Sequence, residues 1–454
     1  MTIATHTPII RSSDRFLLDA YNGKNGFETG HYLVPHAREQ DEEFKRRQQL
    51  AIYPNFCRKI ADVFNGYLWK TPPQRTDMDD NYTRFMANAN GVRGKLNIVM
   101  ANFQRLATIL GTVYIIVDKS SKAATSKADE SLPYLTVRLP SQLIYELKDS
   151  HGEWEKVTFS ETINNVIFYR TFTKTEWQYS AEIDGEPTAS GKHDLGRVPV
   201  VKLHAAAPLD PMSSRADSFF YDLAQLNWKL FNLHSELDEL LRDQAFAILT
   251  IPAATKAERD SLTSLTVGTK NALVYNPVGG GVPVFIAPPA SSAEQYETRI
   301  ANTVTDIYRI ANLEFVGGVQ QSGVALSFHF QEANSSLRTS ADQCEAAENE
   351  ILELVALWQG KEPQGHIAYN DDFNLVDMAQ ELNIAMEAIN MEMGSVFTAA
   401  IKKRTAKQIL ANNVAPEIMS EIEDEIDAQG DIYGNRIAQQ AGVQTQGLNA
   451  QTKA

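Results

Sequence analysis

Few residues of this sequence have the type and spacing that catalysis or metal binding requires. The nine histidines are scattered, and none follows another at i+3 or i+4, the spacing that places two imidazole ligands on one helical face. His31 and His36 are the closest pair, and we expect no metal site there. Asp371-Asp372 and Glu423-Asp424-Glu425 could bind a divalent cation, but runs of acidic residues are more often solvated surface. The sequence therefore predicts no metal centre.

The sequence also lacks the motifs that bind nucleotides or build common hydrolase sites. Gly94-Lys95 is followed by Leu96 and lacks the spacing of the phosphate-binding motif G-x-x-x-x-G-K-[ST]. Gly279-Gly280-Gly281 lies between two prolines, which is typical of a turn. Neither H-E-x-x-H nor G-x-S-x-G occurs. We therefore expect no enzymatic activity and no cofactor.

Composition and charge narrow the class of protein further. The 454 residues, 43% hydrophobic and 22% charged, are typical of a folded chain of two to four modules. The 42 Lys+Arg against 57 Asp+Glu give a net charge of −15, which disfavours a sequence-reading DNA-binding protein but is compatible with weak contact to sliding DNA. Cys57 and Cys344 are too few for a disulfide framework. No secretory signal starts the sequence and no apolar run reaches membrane-spanning length, so we expect a cytosolic, non-membrane protein.

The periodicity of apolar residues predicts helices, then a sheet. Residues 1–30 are polar and punctuated by glycine, so we expect a loosely held arm. Helical spacing follows within 44–69 and again within 81–110. From Thr112 to Leu203, β-branched and aromatic segments recur every 8–12 residues, which predicts an antiparallel sheet.

The clearest pattern is an apolar heptad repeat. It consists of Phe219, Leu223, Leu226, Leu230, Leu233, Leu237 and Leu240. This repeat predicts a long helix with one packed seam, either in a helix pair or as an ordinary core helix. Short strands within 246–286 follow, with a possible helix at 256–264, and helical spacing resumes at Ser292.

The sequence then predicts a loop, a long helix and a helical end. Residues 312–327 contain three glycines and uncharged polar residues, which also fits a plain surface loop. The helix up to Gly360 has an apolar side, and its other side is acidic. That acidic side consists of Glu332, Asp342, Glu345, Glu348, Glu350 and Glu353. Near the end, the basic cluster around Lys403 could contact DNA or pair with the acids of 415–431, and we favour the pairing.

This order of elements resembles the portal proteins of tailed bacteriophages. Five stretches of the sequence add to the resemblance. They are Tyr32-Leu33-Val34-Pro35 before the charges of 39–47, Phe64-Asn65-Gly66-Tyr67-Leu68-Trp69-Lys70-Thr71-Pro72-Pro73, Gly111-Thr112-Val113-Tyr114-Ile115-Ile116-Val117-Asp118, Asp222-Leu223-Ala224-Gln225-Leu226-Asn227, and Tyr369-Asn370-Asp371-Asp372-Phe373.

The resemblance implies an α+β, mainly helical portal fold with an antiparallel β wing domain, two long stem helices, a small α/β clip and a helical crown. The implied modules are an arm and wing at 1–207, a first stem helix at 208–245, a clip at 246–291, a second stem helix at 292–313, a tunnel loop at 314–327, a long wing helix at 328–360, and a crown with the C-terminal tail at 361–454. The crown departs from the family because it lacks a long C-terminal barrel helix.

The resemblance also implies a function. Such proteins form a twelve-subunit ring at one capsid vertex of the virion, assembled in the host cytoplasm, through which double-stranded DNA is packaged and ejected without sequence specificity. The implied partners are the major capsid protein, the large subunit of the terminase, which hydrolyses the ATP, and the head–tail adaptor. The implied site residues are Gly317, Gly318, Gln320, Gln321, Ser322 and Gly323 in the tunnel loop, and Lys256, Arg259 and Lys270 in the clip.

Two other classes of function stay open at this point. The main alternative is another phage or prophage structural component, such as a capsid or connector protein without a role in DNA translocation. A nuclease that uses Asp371 and Asp372 is disfavoured because no other enzyme signature accompanies them. A packaging ATPase is disfavoured by the absent phosphate-binding motif.

Overall fold

The computed structural model describes residues 13–119, 132–262, 266–267, 270–277, 280–287, 290–311, 323–371, 373, 387, 394–410 and 418–428. The chain divides into two units, Met1–Phe373 and Asn374–Ala454. Helices and mainly antiparallel sheets make up the first unit, in agreement with the α+β class.

Five helices begin the first unit. They are α1 (Asp14–Asn22), α2 (Asp41–Leu50), α3 (Phe56–Leu68), α4 (Asp80–Ala87) and α5 (Leu96–Leu110). Helix α1 starts where the Ser13 hydroxyl accepts a hydrogen bond from the Phe16 amide, and it ends at Gly23 with φ of 62°. Phe16 and Leu17 are buried in the main core. The expectation of a loosely held arm is therefore wrong for this helix, because its apolar side packs into the main core.

Nine strands accompany or follow these helices in the N-terminal half. They are β1 (Gln74–Thr76), β2 (Thr112–Lys119), β3 (Pro133–Arg138), β4 (Leu143–Lys148), β5 (Trp154–Ile163), β6 (Val166–Thr173), β7 (Glu176–Ser180), β8 (Pro187–Lys192) and β9 (Val200–His204). Three of them form the sheet β3-β2-β9, and five form the meander β4-β5-β6-β7-β8. All pairings in these two sheets are antiparallel, so the predicted sheet is confirmed. Tyr114 and Ile116 from β2 pack with Phe159 and Phe172 of the meander in a second core.

Two long helices bracket a small module. They are α6 (Phe220–Ala245) and α8 (Ala290–Ile310), and they pack against each other. The Tyr296 hydroxyl near the start of α8 donates to Glu236 near the end of α6 at 3.1 Å, so the two helices run antiparallel. The first stem helix was expected from 208, but helix begins only at Phe220, after a non-helical segment that contains Pro208 and Pro211.

The bracketed module consists of short strands and one short helix. They are β10 (Ile248–Pro252), α7 (Lys256–Leu262), β11 (Thr266–Val267), β12 (Lys270–Asn271), β13 (Leu273–Tyr275) and β14 (Val284–Ile286). β10 lies between β13, which is parallel to it, and β14, which is antiparallel. The predicted strands and helix of this segment are confirmed.

The remaining elements of the first unit correct two predicted boundaries. Helix α9 (Gly323–Leu357) begins five residues before the expected start at 328, so 323–327 of the expected tunnel loop are helical. Strand β15 (His366–Ala368) pairs antiparallel with β1 and buries Ile367. The expected crown therefore does not begin at 361, because this strand pairing ties 361–373 to the first unit.

In the second unit the structure describes helix α10 (Ser395–Leu410) and a helix over 418–428. The Lys403 ammonium lies 2.6 Å from the Asp427 carboxylate. The favoured pairing of the basic cluster with the acidic segment is thus confirmed for Lys403.

Candidate functional site

The start of α3 is attached to the long helix α6 by one buried amide. The Asn227 oxygen accepts hydrogen bonds from the backbone amides of Phe56 at 2.9 Å and Cys57 at 3.1 Å, and its nitrogen donates to the Pro54 carbonyl at 2.8 Å. Amides in the first turn of a helix have no intrahelical acceptor, so Asn227 supplies one. The Asn227 side chain is completely buried. Its hydrogen bonds to the backbone of residues 54–57 explain why this core position holds a polar residue.

The segment before α2 is held on the same helix. The Val34 amide donates to Asn232 at 2.9 Å, and the Trp228 indole donates to the Tyr32 carbonyl at 2.7 Å. Asn232 also donates to the Trp228 carbonyl at 2.9 Å, so both its oxygen and its nitrogen are hydrogen-bonded. These contacts place the Tyr32–Pro35 stretch along α6.

A buried ion pair completes this attachment. The Arg47 guanidinium donates to both carboxylate oxygens of Glu39 at 2.8 Å and to the Val34 carbonyl at 2.7 Å. Although burial alone would raise it, hydrogen bonds from Arg47 and the His36 amide lower the pKa of Glu39 below its ordinary value. One ion pair of the charged stretch after Pro35 is therefore buried in the interior.

Helices α6 and α8 connect the bracketed module to the rest of the first unit. At 1.5 Å per residue, the 26 residues of α6 extend about 39 Å. At the end away from the module, Phe56 contacts Tyr308 of α8 edge to face, 5.9 Å between ring centroids. Helix α3 therefore contacts α6 and α8 together and fixes the base of the pair.

The predicted clip cations lie in the bracketed module. Lys256 and Arg259 are three positions apart on α7, and Lys270 lies in β12. Helix α7 begins with a reciprocal cap, in which the Glu258 amide donates to the Thr255 hydroxyl and the Thr255 amide donates to the Glu258 carboxylate. Hydrogen bonds from the Thr255 amide and hydroxyl to the carboxylate lower the pKa of Glu258.

The same module exposes apolar side chains to an unusual extent. Val282, Val284, Phe285, Ile286, Leu273 and Tyr275 are all exposed. Phe285 leaves 60% of its surface open to solvent. An exposed apolar patch of contiguous residues is typical of a surface that another protein covers.

The predicted tunnel-loop residues fall almost entirely outside the residues that the structure describes. Gly317, Gly318, Gln320, Gln321 and Ser322 lie outside the described residues. Gly323 is the first residue of α9.

The acidic side of α9 is partly internal. Glu348 is completely buried, and Arg75 donates to its two oxygens at 2.5 and 2.9 Å. The hydroxyls of Tyr82 and Tyr369 also donate to Glu348, at 3.3 and 2.6 Å. Burial and the adjacent carboxylate raise the pKa of Tyr369 far above its ordinary value. Glu348 is internal because α9 is covered on this side by β1, α4 and the segment after β15.

A further acid of α9, Glu350, lines a polar cavity of about 230 Å³ beside the meander. Arg197 donates to Glu350 at 2.9 Å and to Glu353 at 3.0 Å. Burial raises the pKa of Glu350 despite its pairing with Arg197. Burial lowers the pKa of Lys202. The Lys202 ammonium lies 4.7 Å from the Trp154 ring centroid. Because most of its charges are paired with one another, the cavity is not our candidate site.

Metal and membrane sites find no support in the described part of the chain. Those residues contain no group of three or more His, Cys, Asp or Glu side chains placed to hold a metal ion. No helix among them combines the length and apolar character that crossing a bilayer requires.

The sequence matches no protein-family profile and no curated protein. In fold, the chain is similar to a chain of the virion of the native gene transfer agent (GTA) particle, with 13% identity, a TM-score of 0.44, and coverage of 83% of this chain and 95% of that one. It is similar to a chain of the neck of the empty GTA particle computed with C6 symmetry, at 13% identity, TM-score 0.43 and the same coverage. A chain of the neck of the native GTA particle computed with C12 symmetry has 11% identity and a TM-score of 0.37, covering 76% of this chain and 88% of that one.

Sequence reasoning missed the polar residues that organise the interior. No prediction from the sequence concerned the burial of Asn227, Arg47 or Glu348. One signal was present for Asn227, which lies four positions after Leu223 and three before Leu230, inside the apolar seam. No comparable signal exists for Glu348, whose partner Arg75 is 273 positions away.

Proposed function

We propose that the protein is a portal-type ring subunit of a phage or phage-derived particle, forming a channel at one capsid vertex through which double-stranded DNA is packaged and ejected. The observation that carries the proposal is the antiparallel pair α6 and α8, which presents a small sheet module at one end. A stem that ends in a clip is the arrangement that the sequence resemblance implies. The protein has no catalysis of its own in this proposal, and the terminase hydrolyses ATP.

The exposed apolar residues of the clip support an assembled state. A single chain that leaves Val284, Phe285 and Ile286 open to water is incomplete as a soluble monomer. Contacts between identical subunits and with the terminase or the head–tail adaptor would bury these side chains. Lys256, Arg259 and Lys270 would then lie beside an acidic surface of such a partner.

Charge supports weak rather than tight contact with the DNA. Each phosphate that a cation neutralises adds affinity through counterion release, and many such contacts would stall a moving duplex. A ring of twelve chains, each of net charge −15, carries 12 × −15 = −180. Because Glu348, Glu350 and Glu353 are paired with arginines, the repulsion must come from other acidic residues.

The subunit number of the purified protein tests the assembly. We expect a closed ring with a central hole in class-averaged end views, and a mass near 12 × 50.6 ≈ 607 kDa for twelve copies. A monomer that is stable at micromolar concentration contradicts the proposal. A closed shell or a filament favours another structural component of the particle.

The tunnel-loop assignment has a separate test. Replacing Gln320 and Gln321 by lysine adds two cations per subunit, so we expect slower DNA packaging or ejection and a steeper salt dependence. The matched control replaces the same two residues by alanine, which removes the amides without adding charge. Equal packaging by both variants contradicts a position of this segment in the channel.

A further inference from the structure

The clip sheet leaves both of its edge strands without a second neighbour among the residues that the structure describes. In the order β13-β10-β14, only β10 is paired on both sides. Neither edge strand contains a charged residue, since β13 reads Leu273-Val274-Tyr275 and β14 reads Val284-Phe285-Ile286. An uncharged, apolar edge offers free backbone groups to another strand.

The meander of the same chain protects its edges. Edge strand β4 has two register irregularities against β5 and carries Glu146 and Lys148. The opposite edge, β8, contains Pro187, Gly191 and Lys192. Bulges, charges and proline are the features by which natural sheets prevent pairing with other chains. The edges of the meander have these features and the two clip edges lack them. This difference indicates that the clip edges pair with strands of another chain.

The directions of the two clip edges are complementary. Because β13 is parallel to β10 and β14 is antiparallel to it, the two free edges run in opposite directions. Strand β14 of one copy can therefore pair antiparallel with β13 of the next copy. This contact joins two different surfaces of the chain, so each copy can pair with a second copy at one edge and a third copy at the other. Every edge strand is paired only when the copies form a closed ring.

The faces of the two edges match as well. Thr250 lies opposite both Leu273 and Val284, which places these two side chains on one face of the sheet. Tyr275 and Ile286, two positions further along each strand, share that face. An antiparallel pairing centred on Phe285 and Val274 joins like faces. The pairing then brings Leu273, Tyr275, Val284 and Ile286, which are 52%, 36%, 49% and 46% exposed, into one apolar row across the junction.

We infer that β14 of this chain binds β13 of a second copy, so that one sheet continues from clip to clip around the assembly. The inference rests on the proposed ring and specifies one of its contacts. Each strand has only three residues, so the pairing contributes when contacts elsewhere already hold the copies together.

Disulfide trapping between Leu273→Cys and Ile286→Cys tests the pairing. Within one copy these positions are separated by two strand spacings, about 10 Å, which exceeds the roughly 7 Å that a disulfide spans between Cα atoms. The native Cys57 and Cys344 are buried and free, so they do not interfere. In the intact chain that carries both substitutions, we expect mild oxidation to give a ladder of covalent multimers on a non-reducing gel. Each single substitution should give monomers only.

The control and the ring measurement separate the possible outcomes. Ile52→Cys with Val92→Cys, at positions that are 80% and 78% exposed, reports random collisions and should give no ladder. Dimers from a single clip substitution, or a closed ring without cross-links, overturn the clip pairing and leave the ring proposal intact. A ladder without a closed ring supports the pairing and rejects the ring. Monomers that neither assemble nor cross-link reject both.

Discussion

The Arg47 guanidinium and the Glu39 carboxylate form a two-point ion pair in which both nitrogen–oxygen distances are 2.8 Å. The side chain of Arg47 is 2% exposed and that of Glu39 is 9% exposed. The remaining donors of Arg47 contact the Val34 carbonyl and the Ser235 hydroxyl of α6. This pair therefore connects the segment before α2 with α6.

Removing one member of this pair should cost far more stability than removing its surface neighbour. Arg47→Met leaves the Glu39 carboxylate buried without a cation, for which we expect a loss of about 3–5 kcal/mol. The matched control is Arg46→Met, because Arg46 pairs with Glu239 at 2.8 Å while 46% of its side chain is exposed. Such pairs contribute about 1 kcal/mol or less. Urea midpoints measure both variants, and equal shifts would show that the Arg47 pair is not an internal anchor.

Helix α6 shows which part of the fold the sequence could predict. The heptad spacing predicted the helix, and Leu223, Leu230 and Leu237 of the repeat are buried. The alternate positions are half-buried, and Phe219 is exposed and precedes the helix. The pattern did not predict that Asn227 and Asn232 are buried beside them. Apolar periodicity identifies side chains that can be buried without a hydrogen-bond partner. A polar side chain is buried only where the fold supplies such a partner, which the periodicity does not show. For Asn227 that partner is the backbone of residues 54–57, about 170 positions away.

His204 makes the stability dependent on pH. It is 9% exposed, its Nδ1 lies 2.9 Å from the Thr112 hydroxyl, and burial lowers its pKa from 6.5 to about 4. The unfolded chain binds this proton more tightly than the folded chain does. The contribution of the neutral imidazole is therefore complete above pH 6.5 and is lost as the pH falls towards 4.

The variant His204→Asn should remove this part of the pH dependence. Lowering the pKa of His204 from 6.5 to about 4 changes the free energy of unfolding by roughly 3 kcal/mol between pH 7 and pH 4. We expect wild-type protein to lose that much more stability than the variant over this interval, in denaturation series at each pH. The control His151→Asn changes an exposed histidine and should keep the wild-type slope. Parallel curves for wild type and His204→Asn would contradict the assignment.

Helix α9 shows what the sequence could not predict. Its apolar side, which includes Ala347, Ile351 and Leu354, is buried as predicted. Helical spacing places the acidic side opposite that apolar side but does not show which of its acids are internal. Glu348 is internal because α9 contacts other elements on more than one side, and no local pattern reveals a partner as distant as Arg75.

The buried Glu348 carboxylate should be essential for the stability of the first unit. Glu348→Gln leaves the Arg75 guanidinium buried beside a neutral amide, and we expect a loss of about 3–5 kcal/mol. The matched control is Glu353→Gln on the same helix, whose carboxylate is 52% exposed and pairs with Arg197 at 3.0 Å. That control should lose less than about 1 kcal/mol. Denaturant midpoints distinguish the two, and similar losses would show that the charge of Glu348 is not needed.

Two glycines in the stretches that carry the family resemblance should respond to alanine in opposite directions. Gly111 has φ of +84°, and a Cβ there would lie 2.2 Å from the carbonyl oxygen of Ala216. Alanine at this position meets both backbone strain and a clash with rigid backbone, so Gly111→Ala should lose at least about 2 kcal/mol. Gly66 lies inside α3 and a Cβ there would meet nothing within 4 Å.

Gly66→Ala should therefore gain about 0.5–1 kcal/mol, because alanine loses less conformational entropy in a helix. Thermal or urea midpoints of the two variants, measured with the wild type, provide the comparison. Since the substitution is chemically identical, only the local backbone separates the two results. A loss at Gly66 as large as at Gly111 would mean that Gly66 faces a neighbour outside the single chain, which ring assembly could supply. Repeating the measurement on dissociated protein would then restore the gain.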